Sequence, residues 1–174
     1  MRGLIHLYCG DGKGKTTCAM GLGLRAVGAD KKVFMLQFLK SDNCSEHRAI
    51  RQLQGFDYRT VMEFTKFVFQ MSDAEKEDVK TKSEEAFDEV CEMCRRGEVD
   101  LLILDEVLGC IDVGLLSEDK VVAFLETKPE ALEVVLTGRG PSQRLIDLSD
   151  YVSEIKKIKH PYDQGIGARK GIEY

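Results

Sequence analysis

The chain has 174 residues, 25 Lys and Arg against 30 Asp and Glu, a formal net charge of −5 and 43% hydrophobic residues. That length suits one domain, residues 1–174, with a sizeable core, and is short for two. No apolar run approaches the length of a transmembrane helix, and the apolar stretch from Leu4 stops at Gly10–Lys15 instead of forming a signal peptide. A soluble cytosolic protein with no membrane partner is expected.

The charge is unevenly placed. Residues 1–72 carry 11 basic and 6 acidic side chains, residues 73–106 carry 5 and 13, residues 107–154 carry 4 and 9, and residues 155–174 carry 5 and 2. Seven of the 16 glycines lie in the first 28 residues and five lie from Gly138 onward. Basic, glycine-rich ends suggest backbone approaching an anion. An acidic chain argues against a nonspecific nucleic-acid binder, whose affinity rests on many Lys and Arg contacts.

In chain order, strands are expected at Leu4–Cys9, Val33–Phe38, Leu101–Leu104 and Leu132–Thr137, with weaker candidates at Tyr58–Phe64 and Tyr151–Ile158. Most are continuously apolar, as in strands buried on both faces. Helical stretches at Lys15–Val27, Ser45–Leu53, Asp73–Arg96, Glu118–Thr127 and Pro141–Leu148 alternate with them, which points to an α/β fold with a parallel sheet. The long helix is the sharpest local prediction. Ser72 with Glu75 forms a capping box, Arg95 and Arg96 end the helix, and Gly97 follows. Cys91 and Cys94 form a lone CxxC on its packing face, where core packing outweighs a redox or metal role. His6, His47 and His160 are too scattered to suggest a metal cluster.

The motif that carries chemistry follows the first strand: Gly10-Asp11-Gly12-Lys13-Gly14-Lys15-Thr16-Thr17. A strand, a glycine-rich turn and a helix starting near Lys15 aim backbone N–H groups and a helix dipole at a phosphate chain. Lys15 would reach the phosphates and the Thr16 hydroxyl would ligate Mg2+. The usual G-x-x-x-x-G-K-[ST] pattern needs glycine at position 9, where Cys9 stands, and the loop carries an extra lysine, Lys13. Leu101-Leu102-Ile103-Leu104-Asp105-Glu106 supplies two acids at the end of a buried strand expected to neighbour the loop, suited to the metal or the nucleotide. On their own the two acids would read as a solvated strand end. In Leu136-Thr137-Gly138-Arg139-Gly140, Arg139 either faces the cleft outside the strand ends or is a surface arginine in a turn.

Together, GDGKGKTT at 10–17, Gln37-Phe38-Leu39-Lys40, LDE at 104–106 followed by Gly114-Leu115-Leu116, TGRG at 137–140, Val152-Ser153-Glu154, and Lys159-His160-Pro161-Tyr162 through Ala168-Arg169-Lys170-Gly171-Ile172-Glu173-Tyr174 resemble the ATP:corrinoid adenosyltransferases of the bacterial P-loop type. The resemblance runs in order across nearly the whole chain. It implies a P-loop NTPase-like, RecA-like, mostly parallel sheet flanked by helices. It also implies transfer of the 5′-deoxyadenosyl group of ATP to the cobalt(I) of a reduced corrinoid, with release of triphosphate. A small P-loop kinase or NTPase acting at the γ-phosphate is the alternative.

By that resemblance Gly10, Asp11, Gly12, Lys13, Gly14, Lys15, Thr16 and Thr17 cradle the triphosphate, with Lys13 and Lys15 stabilising it as it leaves. Mg2+ would lie on Thr16 with Asp105 or Glu106, while Arg25 and Arg139 would be further phosphate or nucleotide contacts. Phe67 and Phe69 would pack on the lower face of the corrin, core packing being the other use of these rings. A homodimer and an electron-donating flavoprotein reductant are implied as partners. Relatives often carry an N-terminal extension and a Trp near the corrin, whereas the first strand here is expected almost at Met1 and the sequence has no Trp.

Overall fold

The computed structural model describes residues 2–40, 44–62 and 68–173. Among these residues six parallel strands form one sheet: β1 (Ile5–Cys9), β2 (Val33–Gln37), β3 (Phe56–Thr60), β4 (Leu101–Asp105), β5 (Glu133–Thr137) and β6 (Tyr151–Glu154), in the spatial order β3-β2-β4-β5-β1-β6. The helices are α1 (Lys15–Val27), α2 (Ser45–Ile50), α3 (Asp73–Arg95), α4 (Val107–Asp112), α5 (Glu118–Thr127) and α6 (Gln143–Leu148). Among the described residues no helix is long and apolar enough to cross a membrane.

Strand alternation divides the core into two layers. Ile5, Leu7, Leu36, Leu102, Leu104, Val134 and Leu136 face a cluster closed by side chains of α3 to α6. Val33, Met35, Leu101, Ile103 and Val135 face Ala19 of α1 and Ile50 at the end of α2. Helices therefore cover both faces, as parallel strands require.

The capping box forms as expected, with Glu75 N–H donating to Ser72 Oγ and Ser72 N–H to Glu75. Gly97 turns left-handed at φ 71° after the last turn. Cys91 and Cys94 are buried on the packing face, and burial pushes both thiols up to about 12. They pack as small apolar groups.

The structure departs from the sequence reading in two places. The strand from Tyr58 begins earlier, at Phe56, and ends at Thr60, while Phe64 lies outside the described residues. Helix α4 was not anticipated. Its six residues carry no polar periodicity, and it starts from Glu106 in the left-handed conformation, φ 59°. The strand bearing Asp105 does emerge beside the loop as expected, with Asp105 bonded to Thr16, although β5 lies between β4 and β1.

Candidate active site

The glycine-rich loop leaves β1 at Gly10 (φ 107°) and enters α1 at Gly14 (φ 122°), two conformations that L side chains rarely adopt. Helix α1 has no side-chain cap and no acid in its first turn, so its N-terminal amides and dipole are left for an anion. Lys15 is buried and donates to Gly12 O at 2.9 Å across the loop. Burial, with help from Arg139, holds its ammonium below the ordinary lysine value against the pull of Glu106, Asp11 and Asp105.

The first turn of α1 reaches over the end of β5. Thr16 Oγ1 donates to Asp105 Oδ1 at 2.8 Å, and Thr137 Oγ1, at the end of the intervening strand, donates to the same oxygen at 2.7 Å. Thr137 in turn accepts from Glu106 N–H at 2.9 Å. A short hydroxyl side chain on β5 thus lets α1 and β4 meet across a strand. The other carboxylate oxygen, Asp105 Oδ2, accepts from Gln37 Nε2 at 3.0 Å and from Lys40 Nζ at 2.9 Å. His47 Nε2 donates to Gln37 Oε1, and its ring stacks on Tyr58 with centroids 4.1 Å apart, so the amide's orientation is fixed from behind.

Asp105 has no solvent exposure. Burial alone would raise its pKa, but Lys40's charge and the hydrogen bonds from Lys40, Thr137 and Gln37 outweigh it and hold the carboxyl below its ordinary value. Glu106 behaves oppositely: burial, then the neighbouring Asp105 charge, pushes its pKa up. One acid is fixed as an anion beside a second that charges less readily.

The loop's outer wall comes from the chain's end. Gly12 N–H donates to Ile155 O at 2.8 Å, and Lys157 N–H donates to Asp11 Oδ1 at 3.0 Å. Part of this segment's basic charge is paired: Lys157 with Asp163 and Arg169 with Glu173 inside the tail, and Lys156 with Glu154 at the end of β6.

These parts surround a cavity of about 1070 Å³. Asp11 to Thr17, Lys40, Glu106, Arg139 and His160 line one side, while Met20, Leu24, Ala49, Leu53 and Phe56 give it an apolar flank between α1 and the chain around α2. Arg139 is therefore a cleft residue and not merely part of a surface turn. Arg25 is exposed in the last turn of α1, ten residues from Lys15 and about 15 Å along the axis, and it does not line the cavity. Phe69 sits in a 3-10 turn (Val68–Gln70), is 81% exposed and does not line the cavity either. That exposure removes core packing as its use. Phe67 lies outside the described residues.

The sequence profile of the ATP:corrinoid adenosyltransferase BtuR/CobO/CobP family matches residues 1–174. The chain belongs to this family. Among curated adenosyltransferase relatives, the corrinoid adenosyltransferase of Escherichia coli K12 is 32% identical over 99% of this chain and 86% of its own length. A corrinoid adenosyltransferase of Salmonella typhimurium LT2 is 31% identical over the same shares. A solved KaiC-like protein from Pyrococcus horikoshii OT3 shares the fold, with a TM-score of 0.52, 12% identity, and coverage of 89% of this chain and 73% of that one.

Sequence reasoning about this adenosyltransferase chain assigned no role to Gln37, Lys40, Thr137 or His160. Lys40 had a signal available, a lysine three residues beyond a buried strand end. Thr137 had none, because its importance follows from the strand order.

Among the described residues there is no cluster of three His, Cys, Asp or Glu side chains suited to a metal. The oxygen set of Thr16, Asp105 and Glu106 does suit Mg2+, which keeps waters and takes its remaining ligands from phosphates. A cation already lies against this set: Lys40 Nζ is 2.8 Å from Thr16 Oγ1 and 2.9 Å from Asp105 Oδ2.

Proposed function

We propose that this chain transfers the 5′-deoxyadenosyl group of ATP to the cobalt(I) of a reduced corrinoid, releasing triphosphate. What carries the reading, within a family defined by that chemistry, is the convergence of the loop, Lys15, Arg139 and the Thr16–Asp105 pair on one large cavity. The electron pair of cobalt forms the new bond to C5′ as the C5′–O bond breaks, and triphosphate leaves with that bond's electrons. The nucleophile is the cobalt itself, so the protein need supply no general base.

The residues' task is to bind and orient the leaving group and exclude water. Lys13, Lys15, Arg139 and the amides of residues 10–17 would neutralise the triphosphate. Thr16, Asp105 and Glu106 would hold Mg2+, which adds charge neutralisation on the same phosphates. The apolar flank around Met20, Leu53 and Phe56 offers surface for the less polar parts of the substrates. Phe67 and Phe69 are proposed for the lower corrin face, and the exposure of Phe69 supports a contact beyond the core. Homodimer formation, electron supply from a flavoprotein reductant and a cytoplasmic setting complete the proposal.

The experiment is product analysis with ATP and a chemically reduced corrinoid. Triphosphate and a light-sensitive alkylcobalt product are expected, and Lys15→Ala should abolish both ATP binding and transfer. ADP and phosphate without alkylcobalt would overturn the reading in favour of γ-phosphate chemistry.

A further inference from the structure

Lys40 is placed by unusual backbone. Phe38, with no solvent exposure, anchors the chain beyond β2 and donates its N–H to Asp105 O at 2.9 Å. Leu39 then turns left-handed at φ 51°. A non-glycine residue in that region is strained and persists only where its surroundings enforce it. Glu106, at the corresponding end of the paired strand β4, is left-handed as well. Two strained residues on neighbouring strands thus turn Lys40 and Glu106 toward the same cleft.

There Lys40 Nζ touches Thr16 Oγ1 and Asp105 Oδ2, while its side chain remains 26% exposed and lines the cavity. Those two side chains are also the best oxygen donors for a divalent cation. An ammonium and a metal ion cannot both sit at bonding distance from one carboxylate oxygen and one hydroxyl, since they would lie within a few ångström of each other in a site of reduced dielectric.

We infer that Lys40 and the divalent cation compete for Thr16 and Asp105, so that Lys40 is a positioning residue that withholds the metal site until a triphosphate arrives to take its ammonium. The lysine has somewhere to go, because Lys13, Lys15 and Arg139 line the same cavity and mark its anion-binding side. Metal and triphosphate should therefore load together. This rests on the proposed triphosphate cradle, but its test uses metal binding, which can fail while adenosyl transfer succeeds, and the reverse.

The probe is Mn2+ alone, titrated by electron paramagnetic resonance without nucleotide. If Lys40 holds the oxygens in about nine molecules of ten, it weakens apparent Mn2+ affinity about tenfold. Lys40→Gln should then bind Mn2+ about tenfold more tightly than wild type, whereas Lys40→Arg, which keeps the charge, should stay close to wild type. Tripolyphosphate should bind Lys40→Gln more weakly. A Lys40→Gln protein with wild-type or weaker Mn2+ affinity would overturn the inference, as would Lys40→Arg gaining equally or unchanged binding of tripolyphosphate. Should Lys40→Gln not fold, nitrogen-resolved NMR of the wild-type lysine ammonium groups decides the matter. The Lys40 signal should move when MgCl2 and tripolyphosphate are added together, and a fixed signal would refute the exchange.

Discussion

Gly12→Ala tests how the chain's last segment supports the phosphate loop. A Cβ at Gly12 would lie 2.7 Å from Ile155 O, 2.8 Å from Lys156 C and 2.9 Å from Lys156 O. All three are backbone atoms, so no side chain can swing aside. Reaching ordinary contact at 3.4 Å requires the loop or the segment to retreat by about 0.7 Å. That movement stretches the 2.8 Å Gly12–Ile155 hydrogen bond beyond useful length. Losing that bond and relieving the overpacking should cost about 2 kcal/mol together. For a chain of this size the melting temperature should fall by about 4–8 °C. The same shift displaces the Gly12 carbonyl that holds Lys15, so ATP affinity should fall about tenfold or more. Differential scanning calorimetry and isothermal titration with ATP read the two effects. Gly21→Ala is the control: its Cβ meets nothing within 4 Å inside α1, and it should be neutral or stabilise by roughly 0.5–1 kcal/mol. A Gly12→Ala protein that matched wild type in both melting and ATP affinity would refute the argument that this contact shapes the loop.

Other outcomes follow from the same geometry. Asp105→Asn removes the buried charge opposite Lys40 while keeping its size. Because Lys40 can turn to solvent, the stability cost should be nearer about 2 kcal/mol than the roughly 3–5 kcal/mol of a fully trapped partner. Calorimetry with and without MgCl2 should show that Mg2+ no longer strengthens ATP binding, and an unchanged Mg2+ effect would remove Asp105 from the metal role. Away from the site, Lys120 ties α5 to α3 through Glu84 and Asp88, each at 2.7 Å. Lys120→Met should lower the melting temperature at neutral pH by about 2–4 °C, for roughly 1 kcal/mol of partly exposed ion pairing. The Lys120 hydrogen bond holds the Glu84 carboxyl below its ordinary value, so this stabilisation is complete above the unfolded glutamate pKa and is lost as pH falls through the lower folded one. The gap between variant and wild type should close in acid. A gap that persisted or widened there would show that the ion pair is not its source.

The parts of the site that were legible are those written locally. A strand, the eight-residue motif Gly10–Thr17 and the helix it opens appear in sequence as they appear in space, and Leu101–Glu106 announces a buried strand ending in acids. The long helix was readable for the same reason, with Ser72, Glu75 and Gly97 marking its ends. What stayed hidden depends on the strand order. Nothing near Thr137 says that β5 will lie between β1 and β4, and without that insertion a threonine there has no role. Lys40 could be seen as a lysine after a strand, but its bond to Asp105 spans 65 residues of sequence. Arg25 marks the limit of local reading, since it shares the loop's own helix yet stands in the last turn, about 15 Å along the axis from Lys15 and outside the cavity lining. The final segment is legible in sequence only as a pattern, because the loop it walls lies 146 residues back. In the fold it forms the loop's outer wall, with Lys157 paired to Asp163 and Arg169 to Glu173 inside it.

That wall has a consequence for how the protein comes into being. Asp11 and Lys157, joined by a hydrogen bond, stand 146 residues apart in sequence. Among the described strands β1 comes first in the chain, yet it lies between β5 and β6, the two that come last. Such non-local pairing makes for slow folding, because loop closure must precede the contacts that reward it. During synthesis the phosphate loop would leave the ribosome long before its walls, and the nascent chain would carry the motif without the site. Nucleotide binding can therefore report on completion of the fold: a ligand added during refolding should accelerate nothing before β5 and β6 have docked, and should trap only molecules in which both have.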